Sequence, residues 1–335
     1  MRDFPAVEAA FVPVADGIQM LDTGLAGQAE LNAVYLLTGD EPTLVESGPA
    51  ADAPRVVAAL ERRGLGPQDL AHVVVTHIHL DHAGGTGVLL QRFTAADVWV
   101  HERGAPHLED PGRLVASTAR TYGEARMRTF FGTPSPVAPD RIRTVADRDV
   151  IALGRRSLEV MHTPGHASHH VALVDDVTGG VFTGEAVGSH LPWVDVYRPA
   201  LPPPEVDVEA ALTSIDRIRD RATTLLTSHF GPVADAAEGC DRAAERVRAW
   251  SETVRRLSAA TEDVEVITAA LRAQAAAEHL ADAGEAIDLE RYDALGSIRM
   301  NAAGLERYWR KRHEAEQAGT DGAQTQTGSD GPQAS

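Results

Sequence analysis

Residues 71–85 read AHVVVTHIHLDHAGG, an apolar run that stops on His77, His79, Asp81 and His82 within six positions. In extended chain, side chains alternate in direction, so His77 and His79 can leave a strand end on the same side, and Asp81 and His82 follow as the chain turns into glycines. Imidazoles grouped with a carboxylate make a hard-to-borderline ligand set, suited to zinc, iron or manganese. A single histidine at a strand end is more often a surface or hydrogen-bonded residue than a ligand; four such residues in this order reverse that expectation. Cys240 is the lone cysteine. It excludes an intrachain disulfide and a cysteine-based zinc cluster, so metal chemistry must rest on imidazole and carboxylate.

The elements that would position these residues read as a layered α/β core. With 335 residues, 43% of them hydrophobic, the chain can bury a full-sized core and hold more than one domain. FVPVADGIQML and NAVYLLTGDEPTLVESG carry turn signals between short apolar runs and predict a meander of antiparallel strands. APRVVAALERRG has helical spacing and stops at Gly64, and AHVVVT is a continuous buried strand. Further strands are predicted at ADVWVH, SLEVMH, HVALVDD, GGVFTG and TLLTSH, and an amphipathic helix at VDVEAALTSIDRIRDRA. From about Glu238 to Glu316 the pattern becomes Ala-, Arg- and Glu-rich and helical. The tail from residue 317 has no apolar periodicity and is expected to be disordered. The expected division is therefore 1–237, 238–316 and 317–335.

The net charge is -18, and Lys311 is the lone lysine. Such a surface repels polyanions, which argues against a nucleic-acid partner. No apolar stretch approaches the roughly 20 residues that cross a bilayer, and the first residues lack a basic start and an apolar core, so no membrane partner is expected and the expected location is cytoplasmic.

The HxHxDH pattern of THIHLDHAGG resembles the metallo-β-lactamase superfamily, and motifs downstream extend the resemblance over roughly residues 10 to 235. HTPGHASHH presents His166 after Thr163-Pro164-Gly165, VFTGEAVG presents Glu185, and LLTSHFGP presents His229, all in family order. The resemblance implies a four-layer αββα sandwich, here with a C-terminal helical extension. It also implies two divalent metal ions, zinc before iron or manganese. His77, His79 and His166 would hold one, and Asp81, His82 and His229 the other, with Glu185 between them. Two metals clamping a water lower its pKa and polarise a substrate oxygen. Asp81 would ligate, orient the nucleophile and accept its proton.

Two positions depart from the family pattern. Glu185 stands where the family usually has an aspartate, and Glu46, in LVESG, where it has another. Glutamate reaches about one bond, ~1.5 Å, further than aspartate, so the backbone must sit back or the carboxylate bind differently. Glu46 is read as a residue fixing the ligand loop in preference to a direct ligand. Of His169 and His170, one is expected to support a ligand from outside, His170 being the candidate, and the other to be structural. His72, His101, His107 and His162 are expected to be structural or exposed. His190 and Tyr197 lie in the Pro-rich loop after Glu185. A packed connector and a substrate contact are both open for them.

The resulting expectation is a hydrolase that uses a metal-bound hydroxide to cleave a small ester, thioester, lactone or amide, resembling the glyoxalase-II-like and lactonase-like members. The alternatives are an iron-dependent sulfur dioxygenase of the same fold and a phosphodiesterase or nuclease. The partner expected is a small-molecule substrate. The helical segment could cover the pocket or form a homodimer contact, although packing of Met300, Leu305, Tyr308 and Trp309 on the main domain explains its apolar residues more simply.

Overall fold

The computed structural model describes residues 10–284, 286–294 and 297–326, with side chains through 317 apart from 282. It resolves two units, one comprising the chain through Ala200 together with Glu209–Arg246, the other Leu201–Val208 together with the chain from Val247 onward.

The first unit is built on two sheets. A seven-stranded sheet runs in sequence order through β1 (Val12–Ala15), β2 (Ile18–Asp22), β3 (Ala33–Leu37), β4 (Thr43–Val45), β5 (His72–Val74), β6 (Asp97–His101) and β7 (Ile142–Val145). Its first four strands form the antiparallel meander that the turn signals predict, whereas β4 to β7 are parallel. Parallel pairing needs crossovers. These are α1 (Ala53–Arg62), the pair α2 (Leu80–Ala83) and α3 (Thr86–Arg92), and the run α4 (Ala105–Glu109), α5 (Gly112–Tyr122) and α6 (Glu124–Phe131).

The second sheet contains β8 (Val150–Leu153), β9 (Arg156–His162), β10 (Val171–Asp175) and β11 (Gly180–Gly184). After β11 a separate hairpin, β12 (Ser189–Leu191) and β13 (Val196–Arg198), leads to helix α7 (Val208–Arg219). The chain then re-enters the sheet as β14 (Thr224–Thr227) and β15 (Gly231–Val233), giving the order β15-β14-β11-β10-β9-β8.

Side-chain alternation shows how the layers stack. In β3, Ala33, Tyr35 and Leu37 join a core shared with Leu158, Val160, Leu173 and Phe182 of the second sheet. Val34 and Leu36 point the other way, into a core with Val56, Leu60, Leu89 and Leu90 of α1 and α3. One sheet thus packs a second sheet on one face and helices on the other, as an αββα sandwich requires. Because both faces are covered, β3 to β5 read as near-continuous apolar runs.

Beyond the sandwich, α8 (Ala236–Ser258) is followed by α9 (Val264–Ala283), α10 (Leu289–Tyr292) and α11 (Ser297–Gln326). This is the expected helical extension. Within the second unit Trp309 Nε1 donates to Ser251 Oγ at 3.1 Å, and the Leu201 N–H donates to Asn301 Oδ1 at 2.7 Å. Helix α11 continues to Gln326, into the segment whose composition suggests a tail, and 327–335 lie outside the described residues. Among the described residues, no helix is long and apolar enough to cross a membrane.

Several elements lie outside those expected from the sequence. Strand β7 has one fully buried residue in four, and β8, apolar throughout as VIAL, buries alternate residues. The hairpin β12–β13 lies inside the Pro-rich stretch read as loop. Helix α5 has no fully buried residue.

Candidate metal centre

Strands β4, β5, β9, β11 and β14 each deliver a polar side chain from the loop at the C-terminal end: Glu46, His77, His166, Glu185 and His229 respectively. In sheet one, β4 and β5 are parallel; in sheet two, β11 and β14 are parallel and β9 is related to β11 through two antiparallel pairings. A rigid two-sheet scaffold therefore presents a set of loops at one end, the usual place for function. His79 caps the start of α2, and Asp81 and His82 lie in its single turn.

Two groups result. His77 Nε2 stands 3.1 Å from His79 Nδ1, which stands 2.8 Å from His166 Nε2. His82 Nε2 and His229 Nε2 are 3.1 Å apart, with Asp81 Oδ2 at 3.7 Å from the former and 3.4 Å from the latter. Glu185 lies between the groups. Its Oε2 is 3.0 Å from His166 Nε2, 3.5 Å from His77 Nε2 and 3.5 Å from His82 Nε2, while Oε1 is 3.8 Å from His229 Nε2. Both groups have the ligand types and closeness that hold a metal ion.

The proton inventory explains the fit. His229 Nδ1 donates to the Leu31 carbonyl at 2.5 Å and His166 Nδ1 to the Ala200 carbonyl at 2.9 Å. His82 Nδ1 faces Glu46 Oε1 at 3.2 Å. His77 Nδ1 lies 3.0 Å from Thr76 Oγ1, whose own proton goes to Glu46 Oε1 at 2.5 Å, leaving the hydroxyl oxygen to accept. With their protons assigned outward, these four rings turn bare Nε2 lone pairs inward, towards one another and towards carboxylates. Converging acceptors repel unless a cation sits among them, and outward acceptors of this kind are what orient metal-binding imidazoles.

The electrostatics agree. Burial, with His82 alongside, holds His77 well below the ordinary histidine value, and burial takes His166 to about 4 against the pull of Glu185. Burial also opposes charge on Asp81, but the neighbouring His82 and His229 outweigh it and hold its carboxyl at about 2. Burial disfavours a charged His82, yet Asp81 and Glu46 overcome it and raise its pKa. The pocket thus prefers neutral imidazoles on one side and positive charge beside its carboxylates on the other.

Glu46 is fully buried and left-handed, at φ +65°. Such a conformation costs a non-glycine residue about 1–3 kcal/mol. It aims the carboxylate at the Thr76 hydroxyl, His82 Nδ1 and the Ser228 hydroxyl at 3.1 Å. Glu46 lies close enough to His77 and His82 to form a third ligand group. Its oxygens already accept from protein donors, however, and Oε1 faces the outward nitrogen of His82.

His170 is fully buried. Its Nδ1 meets Thr163 Oγ1 at 2.8 Å and its Nε2 accepts from the Glu185 backbone N–H at 3.0 Å, which fixes the loop carrying Glu185. His169 stacks on His77, ring centroids 6.2 Å apart and 15° from parallel; among the described residues its buried Nδ1 has no hydrogen-bond partner. His190 Nε2 meets Asp195 at 2.9 Å, and its backbone N–H and carbonyl bond the backbones of His229 and Phe230. Tyr197 is buried against His190 and beneath Arg242, its hydroxyl beside Gly239. The described contacts of these two thus run to the hairpin, to α8 and, through the His190 backbone, to the loop that carries His229.

Sequence reading passed over Thr76, Ser228, Asn32 and Tyr122. Thr76 and Ser228 immediately precede His77 and His229, a signal that could have flagged them. Asn32 Nδ2 donates to the Asp81 carbonyl at 3.2 Å, and Tyr122 is near enough to Asp81 and Glu185 that, after burial, their charges raise its phenol pKa. Neither lies near a motif in the sequence.

A family model described as the metallo-beta-lactamase superfamily matches residues 27–229. A metallo-beta-lactamase fold-containing protein, ST1585, of Sulfurisphaera tokodaii is 25% identical over 60% of this chain and 73% of its own. An N-acyl homoserine lactonase of Bacillus thuringiensis is 26% identical over 61% of this chain and 72% of its own. The acyl-coenzyme A thioesterase MBLAC2 of Gallus gallus is 36% identical over 39% of this chain, which spans 47% of that protein. In three dimensions, the metallo-beta-lactamase family protein TTHA1429 of Thermus thermophilus covers 90% of this chain and 95% of its own, at 21% identity and a TM-score of 0.63.

Proposed function

The chain belongs to the metallo-β-lactamase superfamily, a family of hydrolases, and from that premise we propose that it hydrolyses a small carboxylic ester, thioester or lactone at a dinuclear centre. The observation that carries this reading is Glu185, whose carboxylate is shared between the His77–His79–His166 group and the Asp81–His82–His229 group. The relatives that cleave acyl-coenzyme A and acyl homoserine lactones support the carbonyl class.

Bound at these groups, divalent ions, zinc before iron or manganese, supply an activated water and Lewis acidity towards a carbonyl oxygen. The chain does the rest. His77, His79 and His166 form one ligand set, and Asp81, His82 and His229 the other. Glu46, His170 and the carbonyls of Leu31 and Ala200 keep the rings and Glu185 in place. Asp81, held ionised, orients the attacking water and accepts its proton. The C–O or C–S bond to the leaving group then breaks, and the proton returns to the departing oxygen or sulfur. The net charge of -18 favours a small substrate over a polyanion.

The test pairs metal analysis with a panel of lactones, thioesters, β-lactams and phosphodiesters assayed with zinc- and iron-loaded protein. Metal-dependent cleavage of a carbonyl substrate is expected. Turnover confined to phosphodiesters, or oxygen consumption on a sulfur substrate by the iron form alone, would overturn the reading.

A further inference from the structure

Tyr122 is the last residue of α5, and its ring is fixed beside the metal-binding loop. It packs against a small core of Leu80, Met127 and Phe131, its ring centroid 5.3 Å from that of Phe131. Leu80 stands between His79 and Asp81, so this core ties the end of α5 to the ligands. Phe131 is anchored in turn, its carbonyl accepting from the Ala51 N–H at 3.1 Å.

The hydroxyl of Tyr122 is the uncommitted part. Among the described residues it makes no hydrogen bond, whereas the Tyr35 hydroxyl donates to the Thr227 carbonyl at 2.7 Å. It lies within electrostatic reach of Asp81 and Glu185, whose charges add to burial in raising its pKa, with Arg198 opposing them. A phenol that is protonated at neutral pH can donate there. The atoms that converge on the centre are otherwise acceptors, the imidazole lone pairs and the oxygens of Asp81 and Glu185. When a carbonyl carbon is attacked, negative charge gathers on its oxygen, and a fixed donor at that oxygen gains strength as the charge develops.

We propose that the Tyr122 hydroxyl donates a hydrogen bond to the carbonyl oxygen of the substrate and stabilises the oxyanion that forms there, which makes Tyr122 a catalytic residue. This rests on the hydrolase reading and adds a donor that none of the ligand motifs contains. The phenol keeps its proton throughout: the proton of the attacking water still passes to Asp81 and from there to the departing oxygen or sulfur. Tyr197 does not fill this role, because its hydroxyl lies beside Gly239 of α8.

The test uses full-length, metal-loaded protein and the Tyr122→Phe variant, which keeps the ring against its core and deletes only the oxygen. Hydrolysis of 4-nitrophenyl acetate is measured beside calorimetric binding of methylphosphonate, a tetrahedral oxyanion, and of acetate, a planar one. Tyr122→Phe should lower kcat about 100-fold with KM and bound metal little changed. It should weaken methylphosphonate at least about tenfold and acetate by no more than about twofold, since the bond belongs to the tetrahedral state. Tyr197→Phe, the same deletion elsewhere, should leave all four quantities as in the parent. An unchanged kcat in the folded, metal-replete Tyr122→Phe protein, a loss carried by KM alone, or equal weakening of the two anions would overturn the inference. Selective loss of methylphosphonate binding, in a protein whose parent cleaves no ester, thioester or lactone, keeps the donor and sinks the hydrolase reading. Hydrolysis as fast in Tyr122→Phe as in the parent does the reverse.

Discussion

At the residue scale, Glu185 and Glu46 separate a carboxylate aimed between two ligand groups from one that holds a ligand in place. Glu185 approaches four imidazoles through one oxygen, His79 at 3.9 Å being the fourth. Glu185→Ala should lower turnover by at least ~100-fold, the scale of losing one charge-stabilising group, and reduce bound metal per chain. Glu185→Asp should retain intermediate activity, and metal stoichiometry measured beside turnover in all three proteins checks both. Unchanged values in the Ala variant would reject the shared carboxylate. Glu46→Gln leaves the shape but weakens the acceptor behind His82 Nδ1, so metal affinity should fall about 10- to 100-fold, read by competition with a chelating dye. Asp52 offers a contrast away from the centre. Burial, with Asp22 nearby, raises its carboxyl to about 6 despite Arg55. An acid whose folded pKa is raised contributes its stability when protonated, below the unfolded value near 4, and loses it as pH rises through 6. Asp52→Asn should therefore raise the melting temperature at pH 8 and change it little at pH 4.

At the element scale, the centre depends on strands that end at the same level, so the turns beyond them tolerate little. Gly165 links β9 to His166 at φ +130°, and a Cβ there would come within 2.4 Å of the Ala211 backbone in α7. Gly165→Ala should destabilise the protein by at least about 2 kcal/mol through both backbone strain and the clash, measured by urea denaturation. An effect below 0.5 kcal/mol would show that the turn adapts. The same logic makes α5 a different kind of element. Its stripe has the periodicity of a core helix, and its apolar residues are only partly buried, against Leu80, Met127 and Phe131.

At the scale of the whole molecule, the centre joins both sheets: Glu46, His77, His79, Asp81 and His82 come from one, and His166, Glu185 and His229 from the other. Metal bound only by the folded chain stabilises it by mass action. Dialysis against a chelator should lower the melting temperature by several degrees, and one equivalent of zinc should restore part of the loss, with further recovery at two. A melting curve indifferent to chelator would contradict a centre that ties the sheets together.

The sequence by itself marked the candidate ligands that the fold brings together, because His77, His79, Asp81 and His82 crowd into one strand end and His166, Glu185 and His229 each follow an apolar strand. It marked a layered α/β core for a related reason: strands buried on both faces, such as β3 and β5, leave apolar runs, while the two-sheet sandwich came from the family resemblance. Strand β7, with one fully buried residue in four, leaves none. Tertiary structure alone decided the tautomers, since the carbonyls of Leu31 and Ala200 that receive the His229 and His166 protons belong to the backbone and have no sequence signature. It decided that Glu46 lies behind His82, through a left-handed turn that a glutamate does not advertise. It also decided that His190 and Tyr197 pack into the hairpin while Tyr122, from the helices between β6 and β7, approaches the carboxylates. Proximity between residues far apart in the chain is set by how layers pack, and no local spacing encodes it.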